Sequence, residues 1–337
     1  MLSELGINEK VAFLSKPEAY ANRPTRVERK ETHMSWLFLT DRHAWKLKKP
    51  ARYDYLDFST VEARKVDCEL EVELNRRLAP DVYLGVVPLV SDLHGRLQLG
   101  GEGRIIDWLV MMRRLPEDRM LDVALRTRTV SRDDVRRVGV WLARFYKQAK
   151  KIPWSPAEYT TRLEAAIAEC ATELCQPEYA LPTTLIESIR ADQMSVMKRE
   201  ATMFDDRVRQ GKIVDAHGDL RPEHICVRPD PVIIDCLEFN ADFRALDPVS
   251  ELAFLSLECE RLDAPWVGEL ILYTYQCETG DRAPGALLAY YKKHHALVRA
   301  KIAIWHLKDP DVRDPAKWIG KAKDYLCRAE SLEEVHY

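Results

Sequence analysis

Apolar positions fall into two rhythms along the chain. Short apolar or alternating runs mark strands. They predict Trp36-Leu37-Phe38-Leu39-Thr40, a turn at Asp41-Arg42-His43, then Ala44-Trp45-Lys46-Leu47-Lys48. The second strand alternates lysine with apolar residues until Pro50 ends it. Strands are also predicted at Leu84–Val90 and Leu97–Leu99, with an apolar run over Ile105–Met112 that stops at Arg113-Arg114-Leu115-Pro116. A short helix is predicted over 1–20, ending near Pro17. A longer one spans 59–78, capped by Ser59 or Thr60, with Val66, Leu70, Leu74 and Leu78 as its apolar stripe. Helical periodicity then dominates at 118–126, 131–150, 156–175 and 183–210. A small strand cluster interrupts it at Lys212–Val214, Ile225–Val227 and Val232–Leu237, before helices at 247–258, 265–278, 284–307 and 315–332. Strands with one helix, followed by helices, predict an α+β class with segregated elements rather than a doubly wound sheet. The compositional shift near 112–116 divides the chain into an expected N-lobe, 1–112, and C-lobe, 113–337.

Composition narrows the class. A length of 337 residues suits two domains, or one large domain in two parts. An apolar share of 46% with 31% charged residues is that of a globular protein. The formal charge, 51 − 54 = −3, supplies no basic field for nucleic acid. Glycine is scarce at 13, against a usual ~7% of residues. Neither GxGxxG nor GxxxxGK[ST] can be written from those positions, so the Rossmann fingerprint and the Walker P-loop are excluded. The eight cysteines contain no C-x-x-C pair, which argues against a zinc ribbon and for free thiols. Glu4, Glu9 and Lys10 spoil a signal-peptide core, and no apolar run approaches ~18 residues. The expectation is a cytoplasmic protein with neither nucleic acid nor membrane as partner. Oligomeric state leaves no trace.

Chemistry concentrates in Asp215-Ala216-His217-Gly218-Asp219-Leu220-Arg221-Pro222-Glu223-His224-Ile225-Cys226-Val227, followed by Val232-Ile233-Ile234-Asp235-Cys236-Leu237-Glu238-Phe239. Asp219 lies in a loop leading into one short strand, and Asp235 follows the next. Two carboxylates at the ends of a hairpin suit a divalent cation and a proton acceptor.

These residues carry a resemblance. His217-Gly218-Asp219-Leu220-x-Pro-x-His224-Ile225, then Ile234-Asp235, then Leu246-Asp247-Pro248-x-x-Glu251-Leu252-Ala253 resembles the aminoglycoside phosphotransferase family of small-molecule kinases, whose pattern reads HGDxxxxN, ID and DPxxDLA. Weaker similarity at Glu31-Thr32-His33-Met34-Ser35-Trp36, Trp45-Lys46-Leu47-Lys48-Lys49-Pro50, Leu56-Asp57-Phe58-Ser59-Thr60 and Asn75-Arg76-Arg77-Leu78-Ala79-Pro80 is to the phosphotransferase half of bacterial fusions with a P-loop ATPase. With no Walker motif in the chain, the ATPase half is expected to be absent. The resemblance implies a two-lobed protein-kinase-like fold, with an antiparallel sheet and one helix in the N-lobe and a mainly helical C-lobe. It implies ATP- or GTP- and Mg²⁺-dependent phosphorylation of a small-molecule hydroxyl.

Residue roles follow from it. Asp219 is the expected base, His217 a holder of the catalytic loop, and Asp235 the Mg²⁺ ligand. His224 stands where the pattern has asparagine, as a second metal position, and imidazole is a softer ligand than magnesium favours. Lys46 and Lys48 share a strand face, and one of them is expected on the nucleotide phosphates, with the resemblance favouring Lys46. Glu71, on or beside the apolar stripe, is the expected partner of that lysine. Thr32–Ser35 stands in for the glycine-rich lid, with Ser35 on phosphate, and Val110–Arg113, with Met112, for the segment meeting adenine. Asp247 is a natural N-cap before Pro248, and Glu238 an expected contact near the metal or substrate. The basic stretch Tyr290–His295 with Arg299 and Lys301 either lines an acceptor pocket, favouring an anionic or neutral acceptor, or is a solvated face. Two rivals stand beside this reading. One is a kinase-like nucleotide-binding regulator without transfer; the other is a metal-dependent hydrolase using His217, Asp219 and His224.

Overall fold

The computed structural model describes residues 5–53, 56–308, 312 and 314–332. The first four residues of the helix expected over 1–20 lie outside them. The chain forms two compact units, Met1–Ala124 with Glu223–Phe243, and Leu125–Pro222 with Arg244–Tyr337. This division departs from the expected boundary at 112/113. The hairpin Ile225–Cys226/Val232–Ile233 joins the first unit because Cys226 and Val232 bury in its core beside Ala44, Val72, Tyr83 and Val110.

The first unit contains, in chain order, α1 (Ile7–Leu14), β1 (Glu28–Glu31), β2 (Ser35–Leu39), β3 (His43–Lys48), the short pair β4 (Arg52–Tyr53) and β5 (Leu56–Asp57), α2 (Val61–Asn75), β6 (Tyr83–Ser91), β7 (Leu97–Leu99) and β8 (Arg104–Arg113). Six strands make one antiparallel sheet in the order β1-β2-β3-β8-β6-β7. The alternation in β3 explains its faces. Trp45 and Leu47 join Phe38, Leu89 and Leu109 against Val11, Leu14 and Tyr20. Ala44, Lys46 and Lys48 turn to the opposite face, where Ala44 packs with Cys68 and Val72 of α2. Thr60 caps α2, its hydroxyl accepting the Ala63 N–H at 3.1 Å.

Of the expected stripe, Leu74 and Leu78 are buried and Leu70 half-buried, but Val66 is not. Val66 is 64% exposed, whereas Arg64, Cys68, Glu71, Val72 and Asn75 are buried. Ion pairing sets this rotation. Asp107 of β8, fully buried, takes Arg64 at 2.7 Å and Lys10 of α1 at 2.8 Å. The lysine face of β3 takes the carboxylates of α2. Buried charges left without these partners would be strongly destabilising, so their pairing outweighs the exposure of one valine.

The second unit is mainly helical, with helices Arg132–Gln148, Pro156–Leu174, Thr183–Arg199, Ala201–Arg209, Pro248–Glu260, Pro265–Thr279, Gly285–Trp305 and Pro315–Ser331. The helical stretch expected over 183–210 consists of two helices that meet at Glu200, and the second buries Phe204 and Arg207. Pro248–Glu260 is buried on every side from Pro248 to Cys259, as befits a central helix. Gly268 lets Pro265–Thr279 approach it closely: a Cβ there would sit 2.5 Å from Ser256 Cβ. Gly285–Trp305 packs on Pro248–Glu260, Pro156–Leu174 and Pro315–Ser331.

Candidate active site

In the first unit, Lys46 Nζ lies 2.9 Å from Glu71 Oε1 and 2.9 Å from Asp235 Oδ1. Lys48 Nζ lies 2.7 Å from Glu71 Oε2 and also meets Asp67 and Glu238. Two lysines therefore share one fully buried glutamate. Their surroundings separate them: Lys46 keeps 12% of its side chain exposed and Lys48 1%. Burial opposes both charges. The carboxylates of Asp235, Glu71 and Glu238 around Lys46, and of Glu238, Glu71 and Asp67 around Lys48, outweigh it and hold both ammonium groups well above the usual lysine range. Carboxylate oxygens of Asp67, Glu71 and Glu238 lie within 4.8 Å of one another, a spacing that suits a cation, and the Lys48 ammonium supplies that charge.

Asp235 follows the hairpin in a left-handed conformation, φ +62°. Aspartate tolerates that region better than most residues, at a cost on the order of 1 kcal/mol. The turn is tied down on both sides. The Asp235 N–H donates to the Tyr83 hydroxyl at 3.1 Å, and the Cys236 N–H donates to Asn75 Oδ1 at 2.8 Å. Asn75 in turn donates to the Glu71 carbonyl at 2.9 Å. The carboxylate of Asp235 stays 46% exposed. Its Oδ2 lies 3.5 Å from Nε2 of the buried His224, whose carbonyl accepts the Ile234 N–H at 2.9 Å. A half-exposed carboxylate fits a hard cation. The imidazole beside it is placed to orient that carboxylate.

Two expected nucleotide contacts are differently employed. Ser35 is 1% exposed, and its N–H donates to Thr32 Oγ1 at 2.9 Å while the Thr32 N–H and hydroxyl donate to the Ser35 carbonyl. The turn 32–35 thus closes on itself. Met112 lies in β8 between Ala44 and Tyr83, with its side chain buried. Arg113 continues the strand, and its N–H donates to the Val82 carbonyl. The expected adenine segment is therefore laddered strand as far as Arg113, and half-buried Leu115 and Met120 follow it.

In the second unit the loop bearing Asp219 hangs from Glu251. That carboxylate accepts the His217 N–H at 3.0 Å, the Gly218 N–H at 2.6 Å and the Tyr146 hydroxyl at 2.6 Å. Gly218 has φ +90°, a conformation that disfavours any Cβ. The buried His217 ring accepts the Asp219 N–H at Nδ1, 3.2 Å away. The Asp219 carboxylate is a quarter exposed, with Arg221 Nε 3.0 Å from Oδ2 and the Arg299 guanidinium 3.9 Å from Oδ1. Asp247 caps Pro248–Glu260 by accepting the Val249 N–H at 2.9 Å. Arg207 clamps Asp247 at 2.6 and 2.7 Å and Asp281 at 2.6 and 2.8 Å. Burial would raise the Asp281 carboxyl, but Arg207 holds it down at about 2.

The basic stretch of Gly285–Trp305 is not a solvated face. Tyr290, Tyr291, His294, Arg299 and Lys301 are buried. Lys292 pairs with Glu260, Lys293 with Asp192, and Lys301 with Glu169 at 2.7 Å. Neighbouring helices supply carboxylates that periodicity along one helix cannot reveal.

No family model matches the chain. Curated relatives from Mycobacterium tuberculosis and Mycobacterium bovis, described as uncharacterized proteins, are 29% identical over 282 residues, 82% of this chain and 54% of theirs. The chain thus spans about half the length of the curated relatives it matches. Among solved structures, a choline/ethanolamine kinase family protein from Mesorhizobium loti superposes with a TM-score of 0.57 at 16% identity, covering 97% of this chain and 95% of that one. The chain has the two-lobed fold of the small-molecule kinases. Choline kinase from Cryptosporidium parvum shares it with a TM-score of 0.53 at 11% identity, covering 96% and 94% of the two chains. Aminoglycoside 2′-phosphotransferase-IIIa, solved as its GDP complex, does so at 0.52 and 14% identity, covering 91% and 93%.

Within this kinase-like fold, several residues around the site had weak sequence signals. Asp67 sits one helical turn before Glu71, an i, i+4 pair that the lysine alternation of β3 can answer. Tyr83 and Arg207 carry no local signal, because each acts on a group far along the chain. Glu251 was visible as a motif position, but its hold on the His217 and Gly218 N–H groups is a tertiary fact.

Proposed function

We propose that this chain transfers the γ-phosphate of ATP or GTP to a hydroxyl of a small molecule. The observation that carries the reading is the ion-paired set of Lys46, Glu71 and Asp235 on the sheet face of the first unit. A cation at this place neutralises nucleotide phosphates, and phosphoryl transfer asks chiefly for positioning and charge neutralisation. Lys46, the more exposed of the two lysines, serves the phosphates. Lys48 is spent on holding Asp67, Glu71 and Glu238. Asp235 would hold Mg²⁺, which spreads the negative charge of the transferring phosphoryl group, and His224 fixes the carboxylate. Half-buried Leu39, Leu115, Met120 and Ile234 around Ala44 offer an apolar seat for the base.

Asp219 acts on the acceptor. The acceptor oxygen attacks the γ-phosphorus, the bond from phosphorus to the β,γ-bridging oxygen breaks, and the nucleoside diphosphate leaves with that oxygen. The hydroxyl proton passes to the Asp219 carboxylate. Such help is worth ~10²–10⁴-fold in rate. His217 and Glu251 hold the loop in place for this. Eight free cysteines suit a reducing cytoplasm.

A coupled assay of diphosphate release over hydroxylated metabolites tests the reading. Asp219→Asn loses turnover while Mg²⁺-nucleotide still raises the melting temperature; equal turnover in that variant would overturn the assignment. A nucleotide-binding regulator is favoured by His224 at the asparagine position and by the Arg221 pairing of Asp219. Stabilisation by nucleotide with no turnover of any acceptor would support it.

A further inference from the structure

Partners meet most buried polar side chains of the second unit, and the exceptions gather in one place. Among the described residues of that unit, the buried side-chain polar atoms without a hydrogen-bond partner are Nε2 and Oε1 of Gln193, the Tyr290 hydroxyl and Nδ1 of His294. Gln193 is fully buried and Tyr290 is 3% exposed. Elsewhere in the unit buried polar groups are answered, as Arg207 answers Asp247 and Asp281. A buried donor or acceptor without a partner is costly, and such groups are rare in native proteins.

Gln193 and Tyr290 both line a cavity of about 420 Å³ between Thr183–Arg199, Gly285–Trp305 and the end of Pro315–Ser331. Those helices pack together through Ile186, Ile189, Ala296, Ala300, Leu326 and Ala329. The cavity lies past that core, where Ala286 and Ala289 are too small to fill it. Its size falls in the range of small-molecule sites. It stands apart from the loop of Asp219: Tyr290 is nine residues before Arg299 on the same helix, roughly 13 Å of helix rise.

The lining selects the ligand. Two acids, Asp192 and Glu330, balance two bases, Arg199 and Lys293. Asp192 and Lys293 pair with one another, and Arg199 meets Glu200 at 3.1 Å. The buried part is neutral, a carboxamide and a phenol. Phe204 holds the Tyr290 ring edge-on at 4.8 Å, and the His294 ring lies parallel to it at 6.4 Å. Burial, with Lys301 adding, holds that imidazole down at about 4, so it is uncharged at neutral pH. A charged ligand group would find no counter-ion here. Glutamine offers an acceptor beside a donor, the pattern that a carboxamide or lactam edge completes, as when glutamine reads adenine. Its terminal torsion is soft, so a small turn brings the amide onto a group in the cavity. Val196 and Leu332 give a ring an apolar wall.

We propose that this cavity binds an uncharged heterocycle through an amide edge, carboxamide or lactam, that bonds Gln193 and the Tyr290 hydroxyl. The site is separate from the phosphotransfer reading and does not rest on it.

Isothermal titration of the full chain with nicotinamide, uracil and nicotinate tests it. Nicotinamide and nicotinate share a ring and differ in charge. Nicotinamide or uracil binds with a Kd of about 1 mM or tighter, and nicotinate binds about tenfold more weakly or not at all. The tighter of the two neutral probes tells a carboxamide from a lactam. Gln193→Met keeps the chain length and removes both amide atoms, and Tyr290→Phe removes only the hydroxyl. Each weakens the bound probe about tenfold, ~1.4 kcal/mol. Without a probe, Gln193→Met melts no lower than the parent, since two orphaned atoms leave with the amide. Nicotinate binding as tightly as nicotinamide, no binding of either neutral probe, or unchanged affinity in Gln193→Met overturns the proposal. A Gln193→Met chain that melts several degrees lower would show an amide already satisfied by buried water, and overturns it too.

Discussion

Lys46 and Lys48 are two residues apart on one strand and share Glu71, yet replacing each should do different damage. Lys48→Met removes the ammonium that meets Asp67, Glu71 and Glu238 and keeps a side chain of similar length. Glu71, fully buried, retains Lys46 on one oxygen, while Asp67 and Glu238 lose the Lys48 ammonium. Breaking a buried ion pair from one side costs about 3–5 kcal/mol, because the remaining charge stays out of water. A unit of this size loses roughly 2–4 °C per kcal/mol. A fall on the order of 10 °C in melting temperature is expected. Lys46→Met leaves Glu71 still paired with Lys48, and Asp235 can turn its half-exposed carboxylate to water. Its expected cost in stability is about 1–2 kcal/mol. Scanning calorimetry of both variants, with and without Mg²⁺-ATP, reads both effects. The expected pattern is a large loss in Lys48→Met with the nucleotide-induced rise retained, and a small loss in Lys46→Met with that rise abolished. Equal losses of stability, or a nucleotide response that survives in Lys46→Met, would refute the division of labour between the two lysines.

Glu251→Gln replaces a carboxylate that accepts from the His217 N–H, the Gly218 N–H and the Tyr146 hydroxyl by an amide whose NH₂ faces such donors. Turnover should fall about 10²-fold through displacement of the catalytic loop, with nucleotide affinity retained; unchanged turnover in steady-state assays would speak against the loop's dependence on Glu251. Burial pushes His295 down to about 3, with His294 and Arg299 adding to it and Asp219 opposing, and burial pushes His294 down to about 4. The unfolded chain therefore binds more protons than the folded one between those values and ~6.5. Stability is full above ~6.5 and falls as pH drops, by up to about 1.4 kcal/mol per pH unit for each ring. His295→Gln should flatten the fall in melting temperature between pH 7.5 and 5, and an unchanged slope would rule that ring out.

Much of the fold was legible because its signals are local. Strand alternation at 44–48, the N-cap at Thr60, the proline-led helices at 248 and 265 and the breaks between them are written in neighbouring residues. The ordered motifs from His217 to Ala253 likewise carried the fold, since loop, strand and helix-cap chemistry recur at set spacings. The helical stretch over 183–210 is interrupted at Glu200, where no glycine or proline marks the break.

What only the tertiary structure decided is which partner each polar side chain meets. Lys48 and Glu238 stand 190 residues apart, and no periodicity links them. The same holds for Arg207 with Asp247, for Arg299 with Asp219, and for the turn of α2 that exposes Val66. By itself the sequence determined the elements and the candidates for chemistry, because backbone preference and apolar spacing act within a few residues. Partner choice and burial depend on which surfaces pack together. The cost of an unpaired buried charge, larger than that of one exposed apolar side chain, then selects the packing.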